Sequence, residues 1–237
     1  MAENVRLVSA RRAYEFGPDD IRLTVLSMPA VTQHIQRAFG FQSAVIGTPQ
    51  DTFGSVPLTI PGGVVCNFGM WPSEDGQTIT PIRFLHFEPR RVVIDVAGQT
   101  SAIDQIYASL ATMLAQFHAP DGSPALGQPQ AVYDYSEIAA RFPFSLEAAI
   151  APGVRDVWSN LMRLEDDLPS AVIVPQFSLQ IQLHDEEYAG MVPSSRRFMQ
   201  LALRAGTKPG DQTYYSAAPC GTTAHLAYLE NLEALLK

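Results

Sequence analysis

The chain has 237 residues, 46% of them hydrophobic and 17% charged. That length can bury a substantial core as one large domain or two small ones, and the composition excludes disorder on a large scale. Sixteen Lys and Arg against 24 Asp and Glu leave a formal charge of -8, the wrong sign for a general phosphate-backbone binder, so no nucleic-acid partner is expected.

The opening stretch MAENVRLVSARRAYEFGPDD lacks the apolar core of a secretory signal. NVRLVSA and DIRLTVLSM read as short strands separated by the turn-rich EFGPDD, an early hairpin or two sheet edges. After Pro29, Val31, Ile35 and Phe39 recur at a spacing of four and Gly40 follows, which predicts a short helix with a glycine stop. FQSAVIG, FGSVPLTI and GGVVCNFGM then read as successive strands joined by turns, and WPSEDGQTI as a polar loop holding Trp71. Connections that short imply antiparallel pairing.

RFLHFEPRRVVIDVAG, residues 83–98, alternates on both arms and predicts a hairpin. Pro89 does not fit the primed two-residue turns, so a loop of about four residues spanning Glu88 to Arg91 is expected. The register pairs Phe87 with Val92, Leu85 with Ile94, Phe84 with Asp95, His86 with Val93 and Glu88 with Arg91. One face is then apolar, and the other collects His86, Glu88, Arg91 and Asp95.

TSAIDQIYASLATMLAQFH follows, with Ile103, Ile106, Leu110, Met113, Leu114 and Phe117 on one stripe and Thr100 or Ser101 as cap, an amphipathic helix. APDGSPALGQPQ interrupts, and a boundary there divides the chain into halves, 1–124 and 125–237, which can also form one continuous domain. The second half predicts a strand in AVYDYSEIAARFPF, a helix from about Leu146 to Leu164 broken at Pro152, and a strictly alternating strand in QFSLQIQLH. RRFMQLALRAG answers it as antiparallel partner, QTYYSAA adds a strand, and GTTAHLAYLENLEALLK closes as a helix on Leu226, Leu229, Leu232 or Glu233, and Leu236. The fold class expected is α+β, with antiparallel sheet, amphipathic helices packed on one face, and two topologically similar hairpin-plus-helix halves. No strand, Gly-rich loop and helix occur in the order a nucleotide-binding sheet needs.

No catalytic signature stands out, and no cofactor or metal site is assigned. His86, Glu88, Arg91 and Asp95 share a face, the minimum for acid-base chemistry, yet a half-solvated sheet gives the same alternation. Cys220 stands at the start of the last helix, where its five-residue spacing to His225 points the two apart unless Cys220 lies outside the helix on the preceding turn. HDEEY gathers His184, Asp185, Glu186 and Glu187 without metal-ligand spacing. The row Ser178, Gln180, Gln182 and His184 can bind a ligand or a second chain, because amides hydrogen-bond without a large desolvation cost. Tyr133, Tyr135, Tyr214 and Tyr215 suit either a partner surface or ordinary strands.

No apolar run reaches the roughly 18 to 20 residues of a membrane helix, and Cys66 and Cys220 form no CxxC pair. A soluble cytoplasmic protein with reduced thiols is expected. It is read as a non-enzymatic binding or interaction protein with a protein partner or itself, acting through His86, Glu88, Arg91, Asp95, Gln180, Gln182 and His184. The alternative is a small-molecule enzyme with His86, Glu88 and Asp95 as acid-base groups.

Overall fold

The computed structural model describes residues 3–47, 63–72, 78–143, 178–182, 198–204, 206–207 and 211–236. Contacts divide the chain into two units, Val8–Ser136 and Met1–Leu7 with Glu137–Lys237. It is an α+β protein whose resolved strand pairs are antiparallel.

The first unit is built on β2 (Ser43–Gly47), β3 (Gly63–Pro72), β4 (Ile79–Glu88), β5 (Arg91–Val96) and most of β1 (Glu3–Glu15), in the order β2-β3-β4-β5-β1. Its helices are α1 (Leu23–Leu26), α2 (Pro29–Phe39) and α3 (Thr100–Leu114). One core joins Cys66, Leu85, Phe87, Val92 and Ile94 from the strands to Leu26, Ile35 and Phe39 before them and Ile103, Ile106 and Leu110 after them. The predicted α3 stripe therefore lies where its spacing put it. Its cap differs: Gln99 precedes the helix without a side-chain cap bond, and Thr100 is the first helical residue.

Gly40 ends α2 in the left-handed region at φ 61°, as its position predicts. DIRLTVLSM is not a strand. Ile21 makes an isolated bridge to Leu126 and the chain then turns into α1, burying the adjacent Val25 and Leu26. Adjacent buried positions suit a helical turn; a strand would send them to opposite faces. Trp71 is also placed differently, within β3 rather than in a loop, its ring 5.5 Å from that of Phe39.

The β4–β5 register is the predicted one, pair for pair, from Phe84↔Asp95 to Glu88↔Arg91. The loop is shorter than expected. β4 ends at Glu88 and β5 starts at Arg91, leaving Pro89 and Arg90 as the connection. Neither has a positive φ, so the turn is not of the primed types. The Arg91 guanidinium grips Glu88 Oε2 at 2.7 and 2.9 Å, which fastens the pair flanking the turn. Toward the other end of the hairpin the register shifts between Ile82 and Phe84, so Arg83 is a bulge residue against β5.

The second unit takes β6 (Ala131–Arg141) from Glu137 onward and continues in the order β9 (Thr213–Ala218), β8 (Phe198–Leu203), β7 (Ser178–Gln182), followed along the chain by α4 (Thr222–Leu236). The antiparallel partnership predicted for QFSLQIQLH and RRFMQLALRAG holds, with Gln180 opposite Gln200 and Gln182 opposite Phe198. Ile138, Phe142, Met199, Leu201, Tyr214 and Leu229 form its core. On α4 Thr222 is buried at the start, followed by His225, Leu229 and Glu233 spaced by four, while Leu226 and Leu232 are half-buried. The helix expected from Leu146 to Leu164 and the strand FGSVPLTI lie outside the described residues.

Candidate functional site

The second face of the β4–β5 hairpin is buried rather than solvated. His86, Glu88, Val93 and Asp95 are all withdrawn from solvent, as are Ser9 and Ala13 on β1 beside them. Antiparallel pairing brings the polar residues into rows, since Arg11 lies opposite Asp95 and Glu15 opposite Arg91.

Two ion-paired groups result. In the first, Asp95 accepts from Arg11 Nε at 2.8 Å, Arg11 Nη2 at 2.7 Å and the Ser9 hydroxyl at 3.3 Å, with Arg83 Nε 3.9 Å away. The Arg11 guanidinium also lies 5.1 Å from the centre of the Phe84 ring. Burial pushes the Asp95 carboxyl above its ordinary value, against the pull of Arg11, Arg83 and Ser9. In the second, Glu88 lies between His86, whose Nδ1 is 3.3 Å from Oε1, and Arg91, which in turn reaches Glu15 at 3.7 Å. Gly63 makes room for the imidazole. A Cβ there would stand 2.8 Å from His86 Nε2 and 2.7 Å from the Phe87 carbonyl oxygen.

Both carboxylates are thus matched to arginine. Such a pair ties neighbouring strands together, because removing either partner would leave a buried charge uncompensated. His86, Glu88 and Arg91 converge, while Asp95 belongs to the neighbouring group with Arg11 and Arg83. Gln180 and Gln182 lie on β7 in the other unit, and His184 lies outside the described residues. Sequence reasoning missed Ser9, Arg11, Glu15 and Arg83. Ser9 lies within the predicted strand NVRLVSA, and Arg11 and Glu15 follow it at every second position with Ala13 in ARRAYE, the signal that could have placed them on one strand face.

A further polar pair escaped notice. Ser216 on β9 donates its hydroxyl proton to the Gln200 carbonyl at 2.9 Å and sits 2.8 Å from His225 Nε2 on α4. A hydroxyl has one proton, so Nε2–H of a neutral imidazole donates to Ser216 Oγ. Burial lowers the His225 pKa to about 4. Cys66 is a buried thiol pushed up to about 12 by the same cause, and Cys220 is half-buried. Among the described residues no three His, Cys, Asp or Glu side chains converge on a metal position, and no helix is long and apolar enough to cross a membrane.

Large apolar side chains on β2, β3 and β4 are exposed: Val45, Ile46, Phe68 (64%), Met70 (56%) and Ile79 (64%). Phe68 has φ 56°, a left-handed backbone that a bulky side chain adopts at a cost. Met70 pairs with Pro81 and Ile79 with Pro72, so these two lie toward one end of the β3–β4 ladder, whereas Val45 and Ile46 lie opposite Val65 and Val64 toward the other end of β3.

Comparison with protein-family models, curated proteins and solved structures finds no match to this chain. The class that fold and site define is an α+β protein with antiparallel sheet and an internal ion-paired face.

Proposed function

We propose that this chain is a non-enzymatic binding protein that works through contact with a protein partner or with copies of itself. The observation that carries this reading is Phe68. Its ring is exposed and its backbone sits in the left-handed region, a combination that costs free energy in the isolated chain and is offset when the ring is buried against a partner. Met70 and Ile79 extend the same apolar surface. Gln180 and Gln182, on the terminal strand β7, supply a second surface in this reading, and His184 follows them in sequence. His86, Glu88, Arg91 and Asp95 act as the frame that fixes β1, β4 and β5 behind the exposed ladder. The reading includes a cytoplasmic location, packing of the helices on one sheet face, and a kinship of β4-β5-α3 with the β7-β8 hairpin, β9 and α4 as two hairpin-plus-helix halves.

Gentle purification from the native host followed by native mass spectrometry tests it. A homo-oligomer or hetero-complex that Phe68→Ser and Met70→Ser weaken is expected. A wild-type monomer without any protein partner overturns it.

The second reading is a small-molecule enzyme, favoured by the 3.3 Å approach of His86 to Glu88 away from solvent. It expects a stoichiometric metabolite in the same spectrum that His86→Gln releases.

A further inference from the structure

We infer that Ser216 and His225 form an acid-sensitive latch holding α4 against β9, set where the first unit carries two isoleucines; this goes beyond the binding reading and is independent of it. Each unit contains the same local course of chain. β5 and β9 are six-residue strands, and three residues lead from each into a fifteen-residue helix, α3 or α4, that begins with threonine. The residue before each strand accepts a backbone hydrogen bond from the buried phenylalanine that follows β1 or β6. Phe16 N reaches the Arg90 carbonyl at 2.9 Å, and Phe142 N reaches the Gln212 carbonyl at 3.1 Å.

The spacing equates Ile94 with Ser216, each fourth in its strand and paired with a buried leucine, Leu85 or Leu201. It also equates Ile103 with His225, each fourth in its helix. Ile94 and Ile103 are wholly buried members of the first unit's core. Apolar side chains thus serve at both places, and replacing a buried polar pair by apolar groups is often neutral or stabilising. What serine and histidine add to the second unit is a group that binds a proton.

The latch is closed when the imidazole is neutral. Its Nε2–H donates to Ser216 Oγ at 2.8 Å, and the Ser216 proton is committed to the Gln200 carbonyl on β8 at 2.9 Å. Among the described residues the titratable groups of this core are Tyr214 on β9, Cys220 in the connection, and Tyr228 and Glu233 on α4, while β6 and β8 bring Ile138, Phe142, Met199 and Leu201. Glu233 lies two turns beyond His225, about 12 Å along the helix, too far to pair with an imidazolium. A proton on His225 therefore places a charge among apolar and aromatic side chains, and burial opposes it by lowering the pKa to about 4. Lifting α4 hydrates that charge without unpairing a strand.

Hydrogen exchange read by mass spectrometry on the full chain at pH 7 and pH 5, corrected for the intrinsic exchange rate, tests this. An exposed imidazole titrates at about 6.5 and the buried one at about 4, so an opening that hydrates His225 becomes about 20-fold more frequent at pH 5. Protection over residues 222–236 is expected to fall by that factor in wild type while protection over residues 100–114 holds. Ser216→Ile combined with His225→Ile, which copies the first unit, abolishes the fall. His225→Gln, which keeps a donor and does not titrate, does the same and serves should the double variant fail to fold. No fall over 222–236, or an equal fall over both helices, overturns the latch. So does a fall in His225→Gln as large as in wild type, and none of these results touches the interaction reading.

Discussion

Lowering the pH from 7 to 5 destabilises the second unit through one residue, His225. The imidazole is completely buried, donates Nε2–H to Ser216 and has its pKa lowered to about 4 by burial, against about 6.5 in an unfolded chain. The unfolded state therefore binds more protons between those values. Stability is fully present above about pH 6.5, falls as the pH drops through the window, and levels off below about 4. At 1.36 kcal/mol per pH unit of difference, the loss is about 2 kcal/mol at pH 5 and about 3 kcal/mol at pH 4. Urea denaturation followed by circular dichroism at pH 7, 6, 5 and 4 measures it, with His225→Gln as reference because glutamine can still donate to Ser216 and does not titrate. Wild type should lose about 2 kcal/mol more than His225→Gln between pH 7 and 5. Equal losses in the two proteins would refute a buried neutral His225.

Four further outcomes follow from packing and strain. Leu85→Ala empties a position wholly buried between Cys66 and Ile94 and should cost about 2–5 kcal/mol in chemical denaturation. In Gly69→Ala the new Cβ would meet the Phe41 ring at 2.6 Å and the Phe39 carbonyl at 2.8 Å, so a loss of about 1–3 kcal/mol is expected by the same assay. Phe68→Gly removes an exposed ring and relieves a left-handed backbone; stability should stay within about 1 kcal/mol of wild type, and a much larger loss would place the ring inside the fold. An aromatic disulfide reagent at pH 8 should leave Cys66 unlabelled in the native protein and label it on denaturation, since its thiol is buried and its pKa is pushed up to about 12.

What could be read beforehand depended on how local the controlling contacts are. The β4–β5 register followed from alternation on two arms joined by a short loop, where a slip would expose an entire apolar face. Helices α2 and α3 followed from spacing within one element. In β1 the extension through Arg11, Arg12 and Glu15 was hidden because its charges are answered far along the chain, Arg11 by Asp95 and Arg12 by Asp134 and Asp104. For the same reason the polar hairpin face read equally well as solvated. Burial of His86 and Asp95 depends on the whole sheet, and period-two alternation carries no information about what lies over it. On α4 the spacing allows Glu233 as an alternative to Leu232 on the apolar stripe, and the burial of His225 becomes intelligible only once β9 brings Ser216 to the imidazole.

The central claim is that the chain works by association, and native mass spectrometry of the protein purified gently from its own host tests it most directly. A homo-oligomer or a complex with another protein, free of any stoichiometric small molecule, is the result this account predicts. A monomer carrying a bound metabolite or metal would contradict it and turn attention to His86 and Glu88.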